Sequence, residues 1–502
     1  MKTKINNLNV FIGKDSLLKY LNPENHITPL VELSEFLNPF YQDGVRIYAK
    51  LLNFLPLLNV KQIPAYNMLK VLKKKGKIKN VSTIVEASSG NTVLSLAVIG
   101  RLLGIKKTIS LSSNEVSVSK LRMLRLFNVH VVINEEPICP DPEDKNSSIY
   151  KAKEMAKKKG YINPGQYDNN DNPRAHKKIT GSQIFKQLNG DIQIFCAGLG
   201  TTGTLIGTSS YLRSKIKNIK IIGVVRKPNN PIPGVRTKNL LRLIAFNWEK
   251  YVDYVEEVST YESYLRSLEM MRYGIVVGPS SGFALAGLLN FLNKEKERGN
   301  LDKYRNKKGL INAVFICCDT PLPYIDDYFK VLGEKYFPKV KNKELLLTKD
   351  NLEELNIKAL SQTTNYNFKN IEIDTEKIIS EFYKDNIETI INKLKNGEEN
   401  NFLKENCIIF DIRTEAEFKD FHLPDSINIY YNEFLSKNEE IIKRFNLLNK
   451  KVLLVCNFGL KSFVIANILK NKGINAFSLK GGTAEWSSLN LPRWKPNYCY
   501  KD

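Results

Sequence analysis

The chain has 502 residues, 42% of them hydrophobic and 25% charged, with a net charge of +23. That length exceeds one ordinary hydrophobic core and calls for roughly two to four folding units. The charge is lysine dispersed among Asn and Glu, a basic surface that attracts anions, and no nucleic-acid-binding motif accompanies it. No apolar run is long enough to cross a bilayer; the best, Leu94 to Leu103, is short and carries Arg101. The opening MKTKINNLNVF lacks the apolar core and small-residue cleavage site of a signal peptide. The expectation is a cytoplasmic protein with neither a membrane nor a nucleic-acid partner. Seven cysteines in no framework spacing, with no CxxC and four histidines, point to free thiols and to no metal site.

Taken in chain order, strand-like stretches alternate with helical ones from Thr28 to about Lys341. The strands are Arg46–Leu52, Thr83–Ser88, His130–Ile133, Ile192–Gly198 and Ile221–Val225, and a helical pattern over Thr92–Leu103 follows the second. This alternation predicts an α/β architecture with largely parallel sheets. Residues 342–383 are rich in Lys, Asn, Glu and Thr with weak periodicity and read as a linker with one or two short helices. A second α/β pattern follows, with strands at Cys407–Ile412 and Lys451–Cys456. The expected division is 1–341, linker 342–383, and 384–502.

Four segments of the first part carry chemistry. Lys61 lies just before Pro64, a residue tolerated in a helix's first turn, so a helix starts beside the lysine. The loop Ser88, Ser89, Gly90, Asn91, Thr92 joins a strand to a helix, where unpaired N–H groups and a glycine admit an anion. The run GLGTTGTLIG puts Gly200, Thr201, Thr202, Gly203 and Thr204 at another strand-to-helix turn, suited to a dianionic phosphate; its third glycine is displaced from the dinucleotide pattern. The fourth is GPSSG, with Ser280.

The order and spacing of these segments, with TPLVEL at Thr28–Leu33, GQYDNNDNPRAHKKITG at Gly165–Gly181 and CCDTPLPY at Cys317–Tyr324, resemble the fold-type-II pyridoxal-phosphate (PLP) enzymes of the cysteine synthase family. The resemblance implies that Lys61 holds PLP covalently, that Asn91 meets its phenolic oxygen, that residues 200–204 cradle its phosphate and that Ser280 faces its pyridine nitrogen. It also implies that Ser88, Ser89, Gly90, Thr92 and Gln166 bind the substrate carboxylate. His176, Cys317 and Cys318 read as structural residues. The segment NPIPGVRTKNLL resembles the O-phosphoserine sulfhydrylase branch, which makes Arg236 a candidate for the substrate's phosphate, since a guanidinium fork suits that group. Two departures stand out: Gln62 and Ile63 replace the usual Asp-Arg pair after the lysine, and Thr237 replaces a second Arg. The implied reaction is β-replacement on O-phosphoserine or O-acetylserine to give L-cysteine, with Lys61 as general base. A cystathionine β-synthase or cysteine desulfhydrase type of lyase remains open, as does a sulfur carrier with a degenerate first half. Relatives of the first half are commonly dimers, which implies a homodimer.

In the last part, DIRTEAEFKDFHLPDSINI (Asp411–Ile429), VCNFGLKS (Val455–Ser462) and GGTAEW (Gly481–Trp486) resemble the rhodanese family. Cys456 ends a strand and precedes a helix, and a ring of backbone N–H groups there stabilises a persulfide or an oxyanion. The six-residue loop Cys456–Lys461 matches the length that goes with sulfur transfer. Lys461 stands where Arg is usual and brings charge without the bidentate fork. Cys407 reads as structural. An inactive interaction module is the alternative for this half.

Overall fold

The computed structural model describes residues 9–136, 141–341, 371–398 and 400–494. The chain forms two compact units, Met1–Pro338 and Lys339–Asp502.

Among the described residues the first unit has ten strands: β1 (Leu30–Glu32), β2 (Val45–Leu51), β3 (Thr83–Ala87), β4 (Lys107–Ser113), β5 (His130–Asn134), β6 (Tyr161–Ile162), β7 (Ile194–Gly198), β8 (Lys220–Arg226), β9 (Tyr254–Val258) and β10 (Ile311–Cys317). They make a six-stranded sheet ordered β1-β2-β10-β7-β8-β9 and a four-stranded sheet ordered β5-β4-β3-β6. Every strand pair is parallel except β1 with β2. The sequence explains the parallel arrangement. INAVFIC of β10 and TIVEA of β3 are buried at every position, as strands covered on both faces must be. Along β10, Ile311, Ala313, Phe315 and Cys317 enter one core while Val314 and Ile316 enter the core on the opposite face. Parallel strands need crossovers, so helices begin where strands end: Asn91–Leu102 after β3 and Gly203–Arg213 after β7.

The second unit has five parallel strands, β11 (Glu372–Ile373), β12 (Cys407–Asp411), β13 (Ser426–Asn428), β14 (Lys451–Val455) and β15 (Asn475–Leu479), in the order β11-β15-β14-β12-β13. Val452 and Leu454 of β14 face one core, and Leu453 and Val455 the other. Residues 371–383, expected to close the linker, are part of this unit instead. Strand β11 pairs with β15, and the helix Thr375–Phe382 buries Ile378, Ile379 and Phe382. A short helix is expected here, but the two paired residues of β11 are too little signal to tie the stretch to the second unit. The remainder of that expected linker, 342–370, lies outside the described residues. Among the described residues no helix is long and apolar enough to cross a membrane.

Lys50 on β2 is fully buried, and its ammonium donates to the Thr28 carbonyl (2.8 Å), Gln183 Oε1 (3.0 Å) and Gln187 Oε1 (2.9 Å). Burial among neutral acceptors lowers its pKa to about 7. Between that value and the unfolded one, the unfolded chain binds more protons than the folded chain. The contribution of Lys50 to stability therefore grows as pH rises from 7 towards 10 and is lost as pH falls back through 7. Thermal melts from pH 7 to 9.5 are expected to show a steeper rise in Tm for the native chain than for Lys50→Met.

Candidate active site

The lysine loop is fixed to the end of β10. The Lys61 N–H donates to Asn59 Oδ1 (3.0 Å), the Val60 N–H donates to the Cys318 carbonyl (2.7 Å), and Ser95 Oγ also donates to Asn59 Oδ1 (3.2 Å). Lys61 caps the helix Gln62–Lys74 and faces a cavity of about 190 Å³. Its ammonium has no ion-pair partner among the described residues. Burial pulls its pKa down, opposed by Cys318 and Asp319. That is the state a covalent cofactor link and a general base both require, an amine that surrenders its proton readily.

The cavity gathers nearly every residue singled out from the sequence of the first part. Lys61, Ser88, Ser89, Gly90, Asn91, Thr92, Gln166, Gly200, Thr201, Thr202, Thr204, Arg236 and Ser280 all line it. Thr92 Oγ1 donates to Gln166 Oε1 (2.7 Å), and Gln166 Nε2 donates to the Ala87 carbonyl (2.9 Å), which sets the Ser88–Thr92 loop. Gly203 does not line the cavity. A Cβ there would sit 2.2 Å from Asn172 Oδ1, so its glycine serves helix packing; likewise a Cβ on Gly200 would sit 2.0 Å from the Gly234 carbonyl. Thr202 has φ +66°, a left-handed conformation rare for a β-branched residue, and its buried Oγ1 has no partner.

The Asp-Arg departure has a structural resolution. Gln62 is buried, its Oε1 accepts from the Leu57 N–H (2.7 Å), and its Nε2 donates to the Leu21 carbonyl (2.8 Å). It ties the lysine loop to the amino-terminal segment without a charge, and Ile63 fills the core beside it. Arg236 is 3% exposed and has no ion-pair partner among the described residues; its guanidinium lies 5.5 Å from the Tyr167 ring centroid. The cavity wall also carries Glu136 and Asp319, but neither forms an ion pair with this guanidinium, which among the described residues donates to the Leu240 carbonyl (3.5 Å) and is left suited to an anionic ligand.

Asp319, Lys120 and Cys318 are among the cavity residues not singled out from the sequence as site residues. Asp319 Oδ2 accepts from Asn91 Nδ2 (2.7 Å) and from the Tyr324 hydroxyl (2.8 Å), while Oδ1 has no partner. Burial raises the Asp319 carboxyl against these bonds. Lys120 follows β4 as Asn91 follows β3, and its ammonium lies 5.0 Å from the Tyr324 ring centroid. In the sequence, one lysine among so many carries no signal. Cys318 also lines the cavity and bonds to Ser280; burial pushes its thiol up to about 11.

In the second unit, Cys456 follows β14 and precedes the helix Leu460–Asn471. Its Sγ receives the Ser462 N–H (3.4 Å) and lies 3.2 Å from Ser462 Oγ. The loop is shaped by Gly482, where a Cβ would stand 2.2 Å from the Cys456 carbonyl at φ +61°. The buried pair Asp411–Arg413 (2.6 Å) holds the neighbouring turn, and Asn457 Nδ2 donates to Glu417 Oε1 (2.6 Å). Lys461 does not form a fork at the loop; its ammonium lies 5.3 Å from the Tyr431 ring centroid.

Residues 21–305 match the family described as pyridoxal-phosphate dependent enzyme. The chain belongs to that family. Residues 393–489 match the rhodanese-like domain family, so a rhodanese-like domain follows the PLP enzyme domain. The chain is 31% identical over 295 residues to the cysteine synthase of Aquifex aeolicus, spanning 57% of this chain and 85% of that protein. It is 31% identical over 316 residues to cysteine synthase B of Escherichia coli, spanning 62% and 95%. The O-acetylserine dependent cystathionine beta-synthase of Helicobacter pylori superposes with a TM-score of 0.51 at 26% identity, over 61% of this chain and 97% of that one. The residues present fit PLP. The cavity offers a deprotonable lysine, a hydroxyl-rich helix start with an unpartnered Thr202 Oγ1, and a neutral Ser280.

Gln62→Ala strands the Leu57 N–H and the Leu21 carbonyl, at about 1–3 kcal/mol for each buried group left unpaired. Thermal melts of the variant are expected to show a clear fall in Tm; a Tm equal to that of the native chain would mean the two bonds do not hold the lysine loop.

Proposed function

We propose that the chain makes L-cysteine by β-replacement on an activated serine, with O-phosphoserine preferred, and that its rhodanese-like domain carries sulfur as a persulfide on Cys456. The observation that carries the preference is Arg236, a buried guanidinium without a carboxylate partner on the wall of the cavity that holds Lys61. The cysteine synthase relatives support the reaction class.

When bound, PLP supplies the electron sink that makes the substrate Cα proton acidic. The remaining work falls to the chain. The helix start at Ser88–Thr92 receives the substrate carboxylate, with Gln166 holding Thr92 in place. Lys61, whose pKa burial lowers, removes the Cα proton and later returns it. Arg236 neutralises charge on the departing β group, which favours a phosphate over an acetate. Ser280 offers a hydroxyl rather than a carboxylate to the pyridine nitrogen, which suits elimination and replacement better than transamination. A persulfide on Cys456, reduced by a thiol, releases sulfide as the nucleophile, while the thiol is oxidised to a disulfide.

The visible spectrum of the purified chain, with O-phosphoserine or O-acetylserine added, tests the first half. A yellow protein whose band shifts with O-phosphoserine is expected, and Lys61→Ala is expected to abolish the shift. Arg236→Met is expected to raise KM for O-phosphoserine about tenfold or more and to leave O-acetylserine within about threefold, by loss of one charge-assisted contact. Equal losses on both substrates would discard the phosphate assignment. For the second half, Cys456→Ser is expected to stop cysteine formation from a sulfane donor while leaving formation from free sulfide unchanged. Unchanged formation from both would remove Cys456 from the sulfur supply.

A further inference from the structure

Two side chains outside the assigned site lie directly behind the hydroxyls of the phosphate cradle. Asn172 and His176 sit one turn apart on the helix Asp171–His176, and both are buried, at 2% and 1% exposure. That helix packs against Gly203–Arg213 so closely that a Cβ on Gly207 would stand 2.7 Å from the His176 Cβ. A π turn, Lys177–Gly181, follows at once, an irregularity that often marks a functional position.

The Asn172 hydrogen bonds have a fixed sense, and those of His176 follow from which ring nitrogen carries the proton. Asn172 Nδ2 lies 2.9 Å from the Gln166 carbonyl, which accepts only, so that atom is the amide nitrogen. Its second proton then goes to Thr201 Oγ1 at 3.2 Å. Thr201 is thereby an acceptor on this side, and its own proton is free for the cradle. His176 Nδ1 lies 2.9 Å from Thr180 Oγ1 and Nε2 lies 3.2 Å from Thr204 Oγ1. Burial, with the charge of Lys61, lowers the imidazole to about 3, so the ring is neutral and owns one N–H. Thr180 can donate to Nδ1. The N–H then sits on Nε2 and points at Thr204 Oγ1, which frees the Thr204 proton as well. The Thr202 hydroxyl, buried beside them, has no partner among the described residues.

We propose that Asn172 and His176 are positioning residues that commit Thr201 and Thr204 to donate into the cradle, so that it selects a fully deprotonated phosphate. The inference rests on the reading that residues 200–204 hold the PLP phosphate. A dianion accepts at every oxygen, and three hydroxyl donors at a helix start satisfy it. With Nε2 unprotonated, Thr204 would instead spend its proton on the ring and offer a lone pair to the anion.

The test uses the full chain stripped of cofactor, with PLP and pyridoxal, which lacks the phosphate, as paired probes. His176→Leu is expected to raise the PLP Kd about tenfold, the loss of roughly one charge-assisted bond, and to leave the pyridoxal Kd within about twofold. The phosphorus NMR signal of bound PLP is expected to move in the same variant. His176→Gln, which can present an N–H at the Nε2 position, is expected to recover most of the affinity, whereas His176→Asn is too short to do so. Thr204→Val combined with His176→Leu is expected to be no worse than the more affected single variant, because His176 acts through Thr204. Equal weakening of PLP and pyridoxal, additive losses in the double variant, or no recovery with Gln relative to Asn would overturn the proposal. If the Leu variant fails to fold, the Gln and Asn pair decides. A native chain that binds neither probe would overturn the cofactor reading itself, whereas native PLP affinity unchanged in every His176 variant would overturn only this inference.

Discussion

A helix that begins at the end of a buried parallel strand must leave its first N–H groups without helical partners, and no residue chemistry alters that. The chain meets this constraint repeatedly, after β3, after β7 and after β14. After β3 and β7 the loop is made of small residues, and each time an anion or a sulfur is the natural partner for the exposed donors. In the first unit two such starts open into one cavity. The lysine loop is pinned to the end of β10 and presents its amine to the same space. The position of the chemistry therefore follows from the direction of the strands.

Much of this was legible in the sequence because each loop is local. Ser88–Thr92 and Gly198–Thr204 announce themselves in runs of five to seven residues, between strands that read as strands. What could not be read was what lies behind those loops. Asn172 and His176 belong to a segment whose pattern says only that it is helical and buried. Their meaning comes from Thr201 and Thr204, nearly thirty residues away. Asp319 was quoted as part of a closing turn, but nothing in its neighbours told that Asn91 would be bonded to it. Gln62 looked like damage to a motif; the fold makes it a neutral tie between Leu57 and Leu21.

The second unit shows the same division between local and distant signals. The loop from Cys456 to Lys461 was visible as a loop, and so was the Gly481–Gly482 pair that closes it. The reason for Gly482 is its close approach to the Cys456 carbonyl, and that for Gly481 is the Glu485 side chain, contacts that only the folded chain supplies. Strand β11 was missed because a two-residue edge strand is stabilised by its neighbour β15 and not by its own composition.

Thr202 is the one residue of the phosphate loop that holds a left-handed backbone with a β-branched side chain. Such a conformation costs about 1–2 kcal/mol relative to its right-handed counterpart, and glycine would relieve it. Glycine would also delete the unpartnered hydroxyl. Selection for heat tolerance alone, blind to turnover, would thus drift towards glycine at this position. Persistence of threonine there across functional descendants would be a fossil record of the anion the loop was built to hold.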